Sequence, residues 1–139
     1  MKKAIIIYNS HTGITKRYAE AIEAFITGKK IEVKLMSITD YSKNMTFNAD
    51  YLLLGSWTSG LFLFGQHPDK EWVKFAQQLP QINIPDIAVF TTYKLATGSM
   101  FKNMKKHLAI SPEKIKMELK SRNGKLSEFD KAVLEKFLK

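Results

Sequence analysis

An α/β fold, a doubly wound five-stranded parallel sheet with helices on both faces, is what this 139-residue chain predicts. Three observations predict it. Short apolar runs alternate with amphipathic stretches along the whole length. A turn rich in hydroxyls and glycine, Ser10-His11-Thr12-Gly13-Ile14-Thr15, joins the first run to the first amphipathic stretch. Hydrophobic residues make up 45% of the chain, enough to bury one core in a domain of this size. Residues 1–139 are therefore expected to form a single domain.

The elements follow in order. Residues 3–8 are a short β-branched run ending at a turn, which predicts a buried strand. Residues 14–27 place Ile14, Tyr18, Ile22, Phe25 and Ile26 on one stripe, which predicts a helix with Gly28 as C-cap. Ile31 to Met36 alternates apolar and charged residues, as a strand near a sheet edge does. Residues 39–49 are polar and leave room for a short helical crossover. Tyr51 to Leu54, ending at Gly55, predicts a central strand, and residues 56–68 a loop. Asp69 to Leu79 predicts a helix with Trp72, Val73, Phe75, Ala76 and Leu79 on its apolar side. Ile87 to Phe90 predicts the fourth strand, Gly98 to Leu108 a helix, and Ile115 to Leu119 the fifth strand. Leu126 to Leu138 closes the series as a helix, with Ser127 as N-cap and Asp130 three residues on, close to a capping box.

The turn at 10–15 suits an anion. A helix N-terminus carries unpaired N–H groups and a partial positive charge. Ser10, Thr12 and Thr15 add three hydroxyls, and Gly13 permits a tight turn and close backbone approach. No acid or base is placed there for catalysis, so no catalytic residue is assigned. The plainer alternative is an ordinary helix cap, for which Ser and Thr are favoured. The pattern is neither the Gly-x-Gly-x-x-Gly turn of dinucleotide binders nor a Walker A loop.

Ser-x-Thr-Gly-x-Thr after a first strand resembles the FMN-phosphate loop of the flavodoxin family. The resemblance implies non-covalently bound FMN, with its phosphate held by Ser10, His11, Thr12, Gly13, Ile14 and Thr15. His11 and Ile14 would act through backbone N–H. It also implies the strand order 2-1-3-4-5 known for that fold, with the cofactor at the switch between strands 1 and 3; the residues alone do not yield that order. The loops leaving strands 1, 3 and 4 would then converge on one crevice.

Gly55-Ser56-Trp57-Thr58-Ser59-Gly60 is similar to the family's loop for one flavin face. Trp57 offers a flat stacking surface, with a buried core aromatic as the alternative. Ser56 and Thr58 flank it. The resemblance implies a backbone carbonyl here that accepts from the reduced flavin N5; Gly60 fits by position, and Ser59 nearly as well. Leu61-Phe62-Leu63-Phe64 is unusually apolar for a loop. Leu61 and Leu63 are expected in the core, and Phe62 and Phe64 either there or at a lipophilic rim. In the third loop, Thr92, Tyr93 and Gly98 are the candidate contacts, with Tyr93 covering the second flavin face or else standing exposed. Lys94 occupies a stretch that is acidic in many flavodoxins. A cation there implies a less negative potential for the last reduction step.

Charge and composition restrict the rest. Lys and Arg number 22 against 13 Asp and Glu, for a net charge of +9, with most of the excess in residues 94–139. Lys102, Lys105 and Lys106 share one face at helical spacing. An acidic redox protein is therefore the expected partner of a monomeric carrier, and a solvated basic surface the alternative. No nucleic-acid partner is expected, because no recognition motif accompanies the lysines. The chain has no cysteine, which excludes disulfides and thiolate metal sites. His11, His67 and His107 lack metal-ligand spacing, so no metal is expected. No apolar run is long enough for a membrane span, and no leader is visible; a cytoplasmic location is expected. A phospho-receiver needs acids where Asn9-Ser10 and Gly55-Ser56 stand, and no nucleophile elbow is present. The function expected is electron transfer through FMN. The alternatives are a small FMN-dependent reductase or oxidase of a quinone-like or porphyrinogen-like substrate, and a flavin-free interaction module.

Overall fold

Strand and helix alternate as the hydropathy pattern requires in this computed structural model, which describes residues 1–61 and 64–139. The expectations for Phe62 and Leu63, and for the side chains of Leu61 and Phe64, lie outside the described residues. The strands are β1 (Lys3–Asn9), β2 (Glu32–Ser37), β3 (Tyr51–Leu61), β4 (Phe64–Pro68), β5 (Asp86–Thr92) and β6 (Ile115–Ser121). The helices are α1 (Ile14–Thr27), α2 (Lys70–Gln77), α3 (Met100–His107) and α4 (Glu128–Phe137). The parallel sheet runs β2-β1-β3-β5-β6, which is the expected order of the five predicted strands. A short 3-10 turn, Ile38–Asp40, is the regular structure in the polar crossover after β2.

Each central strand is buried on both faces, so successive side chains feed two cores. Ile6, Leu53, Ala88 and Phe90 pack with Tyr18, Ile22 and Ile26 of α1 and with Leu134 and Phe137 of α4. Ile5, Ile7, Leu52, Leu54, Ile87 and Val89 pack with Trp72 and Phe75 of α2 and with Met100 and Met104 of α3. The doubly wound prediction is met residue by residue.

One difference changes the site. Beyond Leu54 the chain stays extended. Gly55, Ser56 and Trp57 remain in register with Phe90, Thr91 and Thr92 of β5. After that, β3 pairs antiparallel with β4, Thr58 opposite Pro68 and Ser59 opposite His67. The described residues of the predicted loop thus form an antiparallel hairpin pair, β3 with β4. Small and polar residues there signal a loop locally, but pairing with β5 overrides them.

Helix ends agree with their signals. Ser127 Oγ accepts from the Asp130 N–H at 3.0 Å, and the Gly28 N–H donates to Ala24 O. Asp130 then serves a second purpose. The Tyr18 hydroxyl donates to its Oδ2 at 2.8 Å and joins α1 to α4 inside the core. Burial, and then this bond, push the Tyr18 phenol far above its usual range. A raised folded-state pKa keeps its stabilisation below the unfolded value of about 10 and loses it as pH rises further. Tyr18→Phe is therefore expected to cost about 1–3 kcal/mol at neutral pH, because it strands a buried carboxyl oxygen. The same variant should flatten the fall in stability above about pH 10. Urea titrations of both proteins across that range check this; equal alkaline slopes would show that Tyr18 is not the group responsible.

Candidate functional site

The carboxyl ends of β1, β3 and β5 face the same way, so the segments that leave them enclose a cleft of about 510 Å³. His11, Thr12 and Ile14 form one wall, and Trp57, Thr58, Ser59 and Gln66 of the hairpin a second. Thr92, Tyr93, Lys94, Leu95, Ala96 and Arg122 form the third. Seven of the predicted contacts therefore meet here: His11, Thr12, Ile14, Trp57, Thr58, Thr92 and Tyr93.

The first wall ends at the start of α1. Gly13 is its N-cap with φ 93°, a left-handed conformation that glycine adopts without penalty. Ser10 Oγ accepts from the Gly13 N–H at 3.1 Å and the Lys16 N–H at 3.3 Å. Ser10 thus acts here as a helix cap. The Arg17 N–H donates to Gly13 O as the first helical bond, so the amides of Ile14 and Thr15 precede the helical ladder. The first turn of α1 holds no acid. Thr15 is 1% exposed, and its Oγ1 lies 2.6 Å from Thr92 Oγ1. That bond ties the turn to the end of β5. Of the three hydroxyls, Thr12 is the one whose residue lines the cleft.

The hairpin wall is braced from behind. Thr91 Oγ1 donates to Ser56 O at 2.7 Å and lies 2.8 Å from Thr58 Oγ1. Ser56 is fully buried and donates to Trp57 O, so it supports the strand and stays off the cleft lining. The Trp57 indole stacks on the His11 imidazole, with centroids 4.8 Å apart and planes 27° from parallel. His11, expected to act through its amide, thus also contributes its ring. Gln66 O accepts from Ser99 Oγ at 3.1 Å and Asn103 Nδ2 at 2.8 Å, which fastens β4 to α3. Gly98 has φ 47°, and a Cβ there would collide with the Gln66 side chain. It makes room for the hairpin and does not line the cleft. Gly60 falls within β3, and its orientation lies outside what is described.

The third wall is cationic. Tyr93 holds its position through its N–H to Ser121 O at 3.2 Å. Lys120 Nζ lies 5.9 Å and the Arg122 guanidinium 5.6 Å from its ring centre, within cation–π range. Arg122 also donates to Leu95 O. Lys94 and Arg122 line the cleft, and no Asp or Glu is among its described lining residues. Gln66 and Arg122 escaped sequence reasoning. Gln66 lay in a supposed loop, and Arg122 follows β6, whose end was not expected at the crevice. The signal for Arg122 was its position one residue past Ser121, the pairing partner of Thr92.

The chemistry of these residues suits a flat ring and an anion. Aromatic walls flank a cleft of ligand size, and a helix N-terminus free of acids stands at one end. Among the described residues no group of His, Asp and Glu could hold a metal. No described helix is long and apolar enough to cross a membrane.

A family model described as a flavodoxin domain matches residues 5–134. A flavodoxin from Streptococcus pneumoniae TIGR4 superposes with TM-score 0.72 at 18% identity, covering 97% of this chain and 94% of that one. Oxidised flavodoxin 2 from Bacillus cereus gives 0.68 at 22%, covering 97% and 94%. Rubredoxin oxygen:oxidoreductase from Desulfovibrio gigas gives 0.72 at 18%, covering 99% of this chain but 34% of that larger one. Comparison with curated protein sequences finds no match.

Proposed function

Because this chain belongs to the flavodoxin family, we propose that it is an electron carrier built on non-covalently bound FMN. The observation that supports this most is the joining of an acid-free helix start to a cleft with a tryptophan on one wall and a tyrosine on another. FMN would supply reversible uptake and release of electrons through its isoalloxazine ring. The turn from Ser10 to Thr15 would hold the phosphate through Thr12 and the amides at the start of α1. Trp57 and Tyr93 would flank the ring, with Thr58 and Thr92 beside them. Ser10, Thr15, Ser56 and Gly98 would act by fixing the backbone that makes those contacts. Lys94 and Arg122 put positive charge on the cleft wall, which favours extra negative charge in the cleft. This is a reason to expect reduction at a less negative potential than in a carrier with an acidic third loop. The partner proposed is an acidic redox protein that meets a monomeric carrier.

A second reading, an FMN-dependent reductase of a small molecule, is favoured by Leu95. It lines the cleft yet is 52% exposed, which suits an apolar substrate as well as a partner surface.

Absorption spectroscopy after FMN addition and desalting tests the proposal. Retained flavin absorbance is the expected result. Thr12→Ala should weaken retention roughly 10- to 150-fold, the effect of one hydrogen bond to a charged group. It leaves the Thr15–Thr92 bond intact, so melting should be unchanged. A reductive titration of the same sample reads the potential. Turnover of a quinone with NADH or NADPH would favour the reductase. A parent protein that stays colourless would overturn both readings.

A further inference from the structure

We propose that the groove between α2 and α3, on the far side of the β4 strand from the cleft, is the docking site for an acidic segment of the redox partner. The proposal rests on the carrier reading and names where such a partner binds. The groove has a volume of about 460 Å³. Lys70 and Lys74 of α2, Lys106 and His107 of α3 and His67 of β4 line it, over a floor that includes Pro68 and Val73. No acid is among its described lining residues. Glu71, on the same helix turn, lies 3.7 Å from Lys74 Nζ across an exposed pair. The His67 ring is oriented by Nδ1, 2.9 Å from Pro68 O. Asn103 lines the groove while its Nδ2 donates to Gln66 O.

The lysines of α3 divide their work. Lys105 is ion-paired with Glu118 of β6, whereas Lys106 turns into the groove. The basic face expected from spacing alone is thus split, and its partner-binding share lies between the helices. Concavity matters here: a recess ringed by cations admits carboxylates on a protruding strand or turn better than a convex lysine face does. Position matters as well. Gln66 lines the cleft and His67, the next residue of β4, lines the groove. Consecutive strand side chains point to opposite faces. A partner seated in the groove would therefore sit one strand away from the proposed flavin.

The test uses FMN-loaded protein and a short fluorescein-labelled polyglutamate peptide, read by fluorescence anisotropy at low salt. The groove variant carries Lys70→Gln, Lys74→Gln and Lys106→Gln. A control carries Lys34→Gln, Lys136→Gln and Lys139→Gln, the same charge change on exposed positions away from the groove. The expected result is about tenfold weaker binding for the groove variant and less than about twofold for the control. Equal weakening would overturn the proposal in favour of diffuse attraction by net charge. Displacement of the peptide by an equal concentration of inorganic pyrophosphate would overturn it in favour of a phosphate ligand. Flavin absorbance in the same samples judges the carrier reading separately. Protein without flavin would sink that reading, while the comparison of variants still decides whether the groove takes acidic peptides.

Discussion

Gly55→Val is expected to leave little folded protein at room temperature. Gly55 sits in the middle strand of the sheet, paired with Tyr8 on one side and Phe90 on the other. The Phe90 ring, fully buried, lies across the glycine, and a Cβ built at Gly55 would fall inside the ring's van der Waals envelope. Nothing around it can yield cheaply. Phe90 meets Tyr18 edge-on at 6.0 Å, and Tyr18 is itself held by Asp130. Overpacking usually costs about 1–3 kcal/mol. A β-branched side chain driven into a fixed aromatic ring should exceed about 4 kcal/mol, a large share of the roughly 5–15 kcal/mol that holds a domain together. Gly55→Ala is the measurable version, and a urea titration gives its cost. Phe90→Leu in the same chain should recover more than half of that cost, because it removes the two ring atoms that come closest, Cε2 and Cζ. Simple additivity of the two substitutions would show that the Phe90 ring is not what the new methyl meets.

Trp57→Ala is expected to weaken FMN binding roughly 5- to 150-fold, equivalent to the about 1–3 kcal/mol typical of a lost aromatic stacking partner. The indole stands on the backbone of β3, which is paired with β5 as far as Thr92, so its removal should leave the fold in place. Trp57→Phe keeps a flat ring and should retain most of the affinity. Titration of FMN into each variant, followed by quenching of its fluorescence, measures the change. An unchanged dissociation constant in Trp57→Ala, with the protein still folded, would mean that the His11–Trp57 stack is a structural pair and that the ring of FMN does not use it.

Sequence showed most clearly what is governed by neighbours in the chain. The caps at Gly28 and Ser127 depend on a glycine and a hydroxyl within a few residues, and the structure places them as expected; of the hydroxyls in the turn at 10–15, Ser10 and Thr15 are taken up by bonds within the protein. The central strands were visible because burial on both faces produces unbroken apolar runs such as Ala4–Ile7 and Leu52–Leu54, and the edge strands β2 and β6 because one exposed face makes them alternate. The hairpin was hidden because its cause is remote. Ser56 to Thr58 look like a loop, yet they are held extended by Thr91 and Thr92, more than thirty positions away. Spacing alone leaves Lys105 as a free surface charge because its partner, Glu118, lies on a different element, β6. Arg122 was missed for the same reason: only the parallel pairing of β5 with β6 brings it beside Tyr93. For the cleft, the residues that touch were mostly legible. The bonds that hold them in place were not.

The strand order has a consequence for synthesis. The chain is made from residue 1 onward, but the cleft is not completed in that order. The helix start at Gly13 and the indole at Trp57 emerge early, on β1 and β3, which are spatial neighbours. The wall bearing Tyr93 needs β5 to align with β3, and Arg122 arrives only when β6 has joined β5 at the outer edge. A chain that has reached Pro80 contains the residues of two walls and lacks those of the third. Non-local pairings of this kind form late, because chain entropy must be lost before they repay it. On the carrier reading, FMN would therefore load only once the sheet is finished.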